Sequence, residues 1–141
     1  MTNIKIPLLL LLSFSFLIVS CERKFEYVSK PSSNPLLIEG EWLDSSDTIH
    51  GNGISIRKNK IAFFKNMHFT ADQIHDYYII DSIYRKNGND QKIGEYLIIK
   101  EGKDSSIFEI EIRNKSSIIL LNSKKDKLMY NFWKRIKFTP K

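Results

Sequence analysis

Apolar residues along most of this chain alternate with polar ones, a pattern typical of β-strands that have one face against a core. In the clearest run, residues 106–113, Phe108, Ile110 and Ile112 fall on one face and mostly charged side chains on the other. The run 127–133 alternates in the same way. A period of two requires an extended strand, because successive side chains of a strand point to opposite faces.

The predicted strands are residues 38–43, 53–57, 60–65, 77–85, 92–100, 106–113, 117–122 and 127–138. Their connections are short and contain Asn and Gly, which tolerate the positive φ of tight hairpins. Sequential hairpins predict antiparallel pairing, since parallel pairing needs long crossovers. Because open sheet edges invite aggregation, we predict an all-β fold, an up-and-down meander of about eight strands that closes into a small barrel. Two packed sheets are the alternative, since some runs are apolar on both faces.

One segment has a helical signal instead of a strand pattern. Thr70 and Gln73 have the spacing of a capping box, which predicts a turn or two of helix before Asp76.

The first twenty residues form a separate segment. Lys5 provides a short positive start, residues 6–19 form an apolar core, and the small residue Ser20 precedes Cys21. This arrangement predicts a secretory signal peptide. The apolar core is short for a permanent membrane span, which needs about 20 apolar residues.

The sequence Ile18-Val19-Ser20-Cys21 resembles the lipobox of bacterial lipoproteins. The resemblance implies a thioether-linked diacylglycerol on Cys21, cleavage between Ser20 and Cys21, and acylation of the new amino terminus with a fatty acid such as palmitate. Cys21 is the only cysteine in the chain, so it has no disulfide partner there. We therefore expect a lipoprotein of the bacterial cell envelope, anchored to a membrane with its domain outside the cytoplasm.

Residues 21–36 are polar, contain Pro31 and Pro35, and show no apolar period, which predicts a flexible tether. Phe25 and Tyr27 are the exceptions, and they are expected either to dock on the domain or to lie at the membrane interface. The predicted domain covers residues 37–141.

The overall composition is that of a globular protein, with 42% hydrophobic and 27% charged residues. The formal charge is +6, but basic and acidic side chains are interspersed along the chain. A nucleic-acid-binding protein would be expected to have a clustered basic face. The charge pattern therefore favours an ordinary solvated surface and no nucleic-acid partner.

Gly40-Glu41-Trp42, on the first predicted strand of the domain, resembles the G-x-W motif that opens lipocalins and shorter lipocalin-like domains of bacterial lipoproteins. The resemblance implies an eight-stranded barrel in which Trp42 closes one end and packs against a basic side chain near the last strand. Arg135 is the expected partner, and Lys134 is the second candidate. The chain departs from the family by its short domain and the lack of the usual disulfide.

Motifs of catalysis, cofactor binding and nucleotide binding are not found, and we predict a protein that is not an enzyme and uses no cofactor. Two polar clusters contain metal-type donors. They are His68, Asp72, His75 and Asp76, and Glu41, Asp44, Asp47 and His50. Donors in the first cluster suit zinc, but neither spacing is diagnostic. Polar loops and turn capping explain both, so no metal site is predicted.

Two functions remain. The first is a non-catalytic binding module that holds a small apolar or amphipathic ligand inside the barrel. The alternative is a lipoprotein with a filled barrel that binds another envelope protein as an assembly factor or inhibitor. A cavity inside the barrel would favour the first, and a packed interior with an apolar outer patch would favour the second.

Overall fold

The computed structural model describes residues 25–47 and 49–135. The predicted strands are present, with one more before them. They are β1 (Phe25–Pro31), β2 (Gly40–Asp44), β3 (Gly53–Arg57), β4 (Lys60–Phe64), β5 (Ile74–Lys86), β6 (Asn89–Glu101), β7 (Asp104–Arg113), β8 (Ser117–Leu121) and β9 (Lys127–Lys134). Every pairing between them is antiparallel.

The sheet closes on itself. Its order is β5-β4-β3-β2-β9-β8-β7-β6, and β6 pairs again with β5. The result is a closed antiparallel barrel of eight strands, which confirms the predicted all-β barrel and its lipocalin-like strand order. The contact between β2 and β9 joins the first and the last strand of the barrel, as closure requires.

The interior of the barrel is one continuous apolar core to which all eight barrel strands contribute. The side chains in it that are almost completely shielded from solvent are Trp42, Ile54, Ile56, Ile61, Ile79, Leu97, Ile99, Ile118 and Leu120. An eight-stranded barrel is narrow enough for its own side chains to fill. Burial also raises the pKa of Tyr77 and Tyr130, since both phenols face this dry interior.

Residues 32–39 cross one end of the barrel between β1 and β2. Leu37 enters the core, and its backbone N–H donates to the Tyr77 hydroxyl at 2.9 Å. Arg113 donates to the carbonyl oxygens of Asn34 and Leu36 at 2.7 and 3.2 Å. The crossing segment is therefore a fixed part of the domain that covers this end of the barrel.

The prediction of a flexible tether over residues 21–36 is wrong from Phe25 onward, because Phe25–Pro31 is strand β1. β1 pairs with β5 from Phe25↔Lys86 to Pro31↔Ile80. The strand has no apolar alternation because six of its seven residues are exposed. β1 is ordered because it pairs with the free edge of β5, and the local composition of residues 25–31 does not indicate this long-range partner.

Two further local expectations need correction. A register shift lies between Ile110 and Ile112 on β7, so Ile112 pairs with Ile119 and leaves the face of Phe108 and Ile110. The helical signal yields only a single 3-10 turn, Ala71–Gln73. The Thr70 N–H does donate to Gln73 Oε1 at 2.8 Å, as a capping box predicts, but β5 begins directly after this turn, at Ile74.

Candidate functional site

The G-x-W motif lies at the closed end of the barrel, where Trp42 is fully buried. Its indole meets the Phe132 ring edge-on, with centroids 5.1 Å apart, and its Nε1–H donates to the Ile38 carbonyl at 3.1 Å. A Cβ on Gly40 would lie 2.6 Å from the Phe132 ring. Gly40 is therefore needed to make room for the ring that packs on Trp42.

The expected stacking of Arg135 on Trp42 is replaced by this ring contact. Arg135 follows β9 and is exposed, while Lys134 lies over the neighbouring ring of Trp133, 3.9 Å from its centroid. Phe132 shares the inward face of β9 with Tyr130, so it reaches Trp42, whereas charged side chains at the end of β9 remain in solvent. The alternation of β9 already placed Phe132 on that face.

An apolar groove lies on the outside of the barrel, over β2, β3 and β4. We call it the outer groove, and its volume is about 380 Å³. Its lining residues are Glu41, Ser55, Arg57, Lys60, Ile61, Ala62, Phe69 and Ile74. The cross-strand register aligns Glu41 with Ser55, Ser55 with Ala62, and Ala62 with Ile74, so these residues form one row across the outer face. Ile74 is 43% exposed at the rim.

Phe69 reaches the groove because the loop after β4 folds back over the sheet. Asn66 and Met67 adopt positive φ values of 52° and 60°, and the Met67 N–H donates to the Gly51 carbonyl at 2.8 Å. A Cβ on Gly51 would lie 2.7 Å from the Met67 side chain. The close fit of Met67 on Gly51 therefore fixes the loop that carries Phe69.

A buried ion pair lies at the side of the outer groove. The Glu41 carboxylate, with the residue 5% exposed, accepts hydrogen bonds from Arg57 Nη2 at 2.5 Å and from Ser55 Oγ at 2.9 Å. Buried charges are tolerated when they are paired and hydrogen-bonded in this way. The groove thus combines apolar walls with one fixed polar group.

A smaller hollow of about 190 Å³ adjoins the outer groove at Phe69. It shares Glu41 and Phe69 with the outer groove and is otherwise lined by Phe64, Met67, Trp133 and Lys134. Glu41 and Phe69 therefore belong to both hollows. The two hollows together contain three cations, Arg57, Lys60 and Lys134, and one carboxylate, Glu41.

Members of the two polar clusters from the sequence bond within their own loops or to neighbouring strands. Hydrogen bonds from His50 lower the pKa of Asp47, and Asp44 Oδ1 accepts from the Ser46 N–H at 2.8 Å. A hydrogen bond from the Thr70 hydroxyl lowers the pKa of Asp72, while Asp76 is paired with Lys60 at 2.5 Å. Within residues 25–47 and 49–135, no three such donors are grouped closely enough to hold a metal ion.

Comparisons with protein-family models, curated proteins and solved structures find no match to this chain. The lipocalin-like resemblance therefore depends on the Gly40-x-Trp42 motif and on the barrel itself. Cys21 and Ser20 lie outside the described residues. Among the residues that are described, no helix has the length and apolarity to cross a bilayer.

Sequence reasoning did not identify the outer groove. The sequence pattern places Glu41 in a polar cluster with Asp44, Asp47 and His50, and no pattern links Arg57, Phe69 and Ile74. Arg57 is 16 residues from Glu41 in the chain, so only the strand register brings the two together. The one local signal was a charged residue, Glu41, inside the short motif that also carries the buried Trp42.

Proposed function

We propose that this chain is a lipoprotein of the bacterial cell envelope, anchored through acylated Cys21, whose domain binds another envelope protein and catalyses no reaction. The leader and lipobox support the anchor. The filled barrel supports a protein partner over a ligand carried inside, and it is the observation on which this proposal depends.

The filling is clearest where side chains meet across the barrel. Phe63 on β4 and Phe108 on β7 belong to strands that are not neighbours in the sheet, yet their ring centroids are 6.2 Å apart. At the opposite end, Leu37 lies over Tyr77 and closes the opening. A ligand inside the barrel would have to displace these side chains, at the cost of the packing that holds the barrel together.

The outer groove is the surface that suits a partner best. Interface energy concentrates where one protein inserts an apolar anchor into a pocket of the other. Ala62, Phe69 and Ile74 provide apolar walls for such an anchor. Arg57 is paired with Glu41 and Lys60 with Asp76, so Lys134 in the smaller hollow is the cation that a carboxylate of the partner would meet. The matching segment is an apolar side chain beside a carboxylate.

The test is site-specific photo-crosslinking in the native envelope, followed by binding of the purified partner. A photoreactive residue at position 74 is expected to crosslink one envelope protein. The matched control is position 112, because Ile74 and Ile112 are similarly exposed, 43% and 41%, and Ile112 lies on β7 and does not line the groove. Ile74→Lys is expected to weaken binding of the purified partner at least tenfold, and Ile112→Lys to leave it unchanged. Equal crosslinking from both positions would refute the groove as the binding surface.

A small amphipathic ligand in the outer groove is the second candidate, supported by its volume. Small-molecule sites occupy roughly 300–1,000 Å³ and combine apolar walls with a few fixed polar groups, and the outer groove has about 380 Å³ with one buried ion pair. Native mass spectrometry of protein purified from membranes would show such a ligand as an added mass. That mass is expected to disappear in the Ile74→Lys variant. In this case the photoreactive residue at position 74 is expected to crosslink no protein.

A further inference from the structure

One part of the sheet extends beyond the barrel. β4 covers the edge of β5 only from Ile74 to Asp76, and β1 pairs with the same edge from Ile80 to Lys86. With the start of β6, these strands form a three-stranded extension that we call the arm. Tyr77 and Ile79 belong to the core, so odd-numbered residues of β5 face inward and even-numbered residues face outward.

The outward face of the arm carries an exposed aromatic cluster. Phe25 and Tyr27 are 62% and 72% exposed, and their rings lie 6.3 and 5.4 Å from the ring of Tyr84. The register continues this face to Gln91, which pairs with Tyr84. Tyrosines with one apolar and one wet end favour the boundary between lipid and water.

The two faces of the arm differ in charge. On the inward face, Arg85 lies 2.6 Å from Asp90 and 3.0 Å from Glu26, and Lys92 lies 3.0 Å from both Asp81 and Glu95. These carboxylates are neutralised away from the aromatic cluster. On the outward face of the arm, the charged residue of the β5 segment that pairs with β1 is Lys86, which is exposed. Arg23 and Lys24 immediately precede Phe25 in the chain. Basic residues at a membrane surface are attracted to anionic head groups.

The position of the anchor connects this face to a membrane. Cys21 precedes Phe25 by four residues, and four residues span at most about 14 Å even when fully extended. An acylated Cys21 would therefore hold the start of β1 within that distance of the lipid. We propose that the outward face of the arm lies against the lipid head groups of the membrane in which Cys21 is anchored. This inference rests on the proposed acylation.

The test uses the full acylated chain in vesicles of phosphatidylethanolamine and phosphatidylglycerol that contain a nitroxide-labelled lipid. A second cysteine at position 91, Gln91→Cys, is labelled with a fluorophore, since the thiol of acylated Cys21 is blocked. The matched control is Lys103→Cys, an exposed residue in the β6–β7 turn at the far end of the barrel. Mass spectrometry of the amino terminus establishes acylation in each sample.

We expect the nitroxide lipid to quench the label at position 91 and to leave the label at position 103 unchanged. Phe25→Ser with Tyr27→Ser is expected to abolish the quenching while acylation persists. An acylated protein whose label at position 91 is not quenched, or whose two labels are quenched equally, overturns the inference and leaves the proposed function intact. Protection of position 91 from aqueous iodide without lipid quenching shows a protein occupant and also overturns it. A chain that is not acylated overturns both.

Discussion

Replacing Trp42 tests how the end of the barrel is held together. The indole is fully buried, and truncation of buried Phe or Trp to Ala costs about 3–5 kcal/mol. Loss of the hydrogen bond to the Ile38 carbonyl accounts for about 1 kcal/mol of this. Trp42→Phe keeps a ring and loses that bond, so we expect a smaller cost than for Trp42→Ala.

The partner of Trp42 is identified by a double-mutant cycle. Ring pairs contribute about 0.5–1.5 kcal/mol beyond their buried area, so Trp42→Ala and Phe132→Ala together are expected to cost less than the sum of the two changes, by about that amount. Arg135→Ala is the matched control, because Arg135 is exposed, and exposed substitutions usually change stability by less than about 0.5 kcal/mol. Arg135→Ala is also expected to be additive with Trp42→Ala.

The assay is urea unfolding of the domain from residue 22 onward, expressed without a leader and followed by far-ultraviolet circular dichroism. Midpoints convert to free energies of unfolding when the slope of the transition is unchanged. Strict additivity of the Trp42 and Phe132 changes would refute the ring contact. A large loss in Arg135→Ala, coupled to Trp42, would restore the basic partner expected from the family resemblance.

Two further predictions concern other parts of the barrel. Gly53→Ala is expected to destabilise the domain by about 1–3 kcal/mol or more, because the new Cβ would lie 2.0 Å from the Trp42 carbonyl oxygen. Gly94→Ala is the control and is expected to be tolerated, since its Cβ would lie 3.5 Å from the nearest atom. Urea midpoints measure both, and an equal loss of stability would contradict the close approach of Gly53 to Trp42. Burial alone would raise the pKa of Glu95, but hydrogen bonds from Arg113 and Lys92 lower it overall. The contribution of Glu95 to the free energy of unfolding is therefore present above the unfolded-state pKa of about 4.3 and is lost as pH falls through the lower folded-state value. The stability difference between the native protein and Glu95→Gln is therefore expected to shrink from about pH 6 to about pH 3, and a difference that stayed constant would contradict the assigned pairing.

The fold was predictable because its strands carry their own signals. Alternation marked β7 and β9, Asn and Gly marked the hairpins, and each barrel strand pairs with neighbours that are mostly adjacent in the chain. The exposed strand β1 carries no such signal. Its residues pair with residues of β5 that lie 49 to 61 positions later in the chain, so β1 can be identified only once the edge of β5 is known.

The outer groove was not predictable for a related reason. It depends on the loop that places Phe69, and that loop depends on the close fit of Met67 on Gly51. Neither residue stands out in the sequence. At the end of the barrel, the sequence motif marks Gly40 and Trp42, and the ring of Phe132 packs against both. Burial favours a ring there, because a guanidinium would lose its hydration.

The extra strand β1 also determines how the domain would respond to a pull on the proposed anchor. Tension on Cys21 would act on the first pair of the β1–β5 ladder, Phe25↔Lys86, and open the ladder one pair at a time from that end. The eight strands of the barrel close without β1, so peeling away its seven residues leaves the closed sheet whole. The seven released residues would then add roughly 24 Å, at about 3.4 Å per extended residue, to the length of unpaired chain between Cys21 and the barrel. Because β1 has a neighbour on one side alone among the described strands and each barrel strand has neighbours on both sides, β1 is expected to yield under tension before the barrel does.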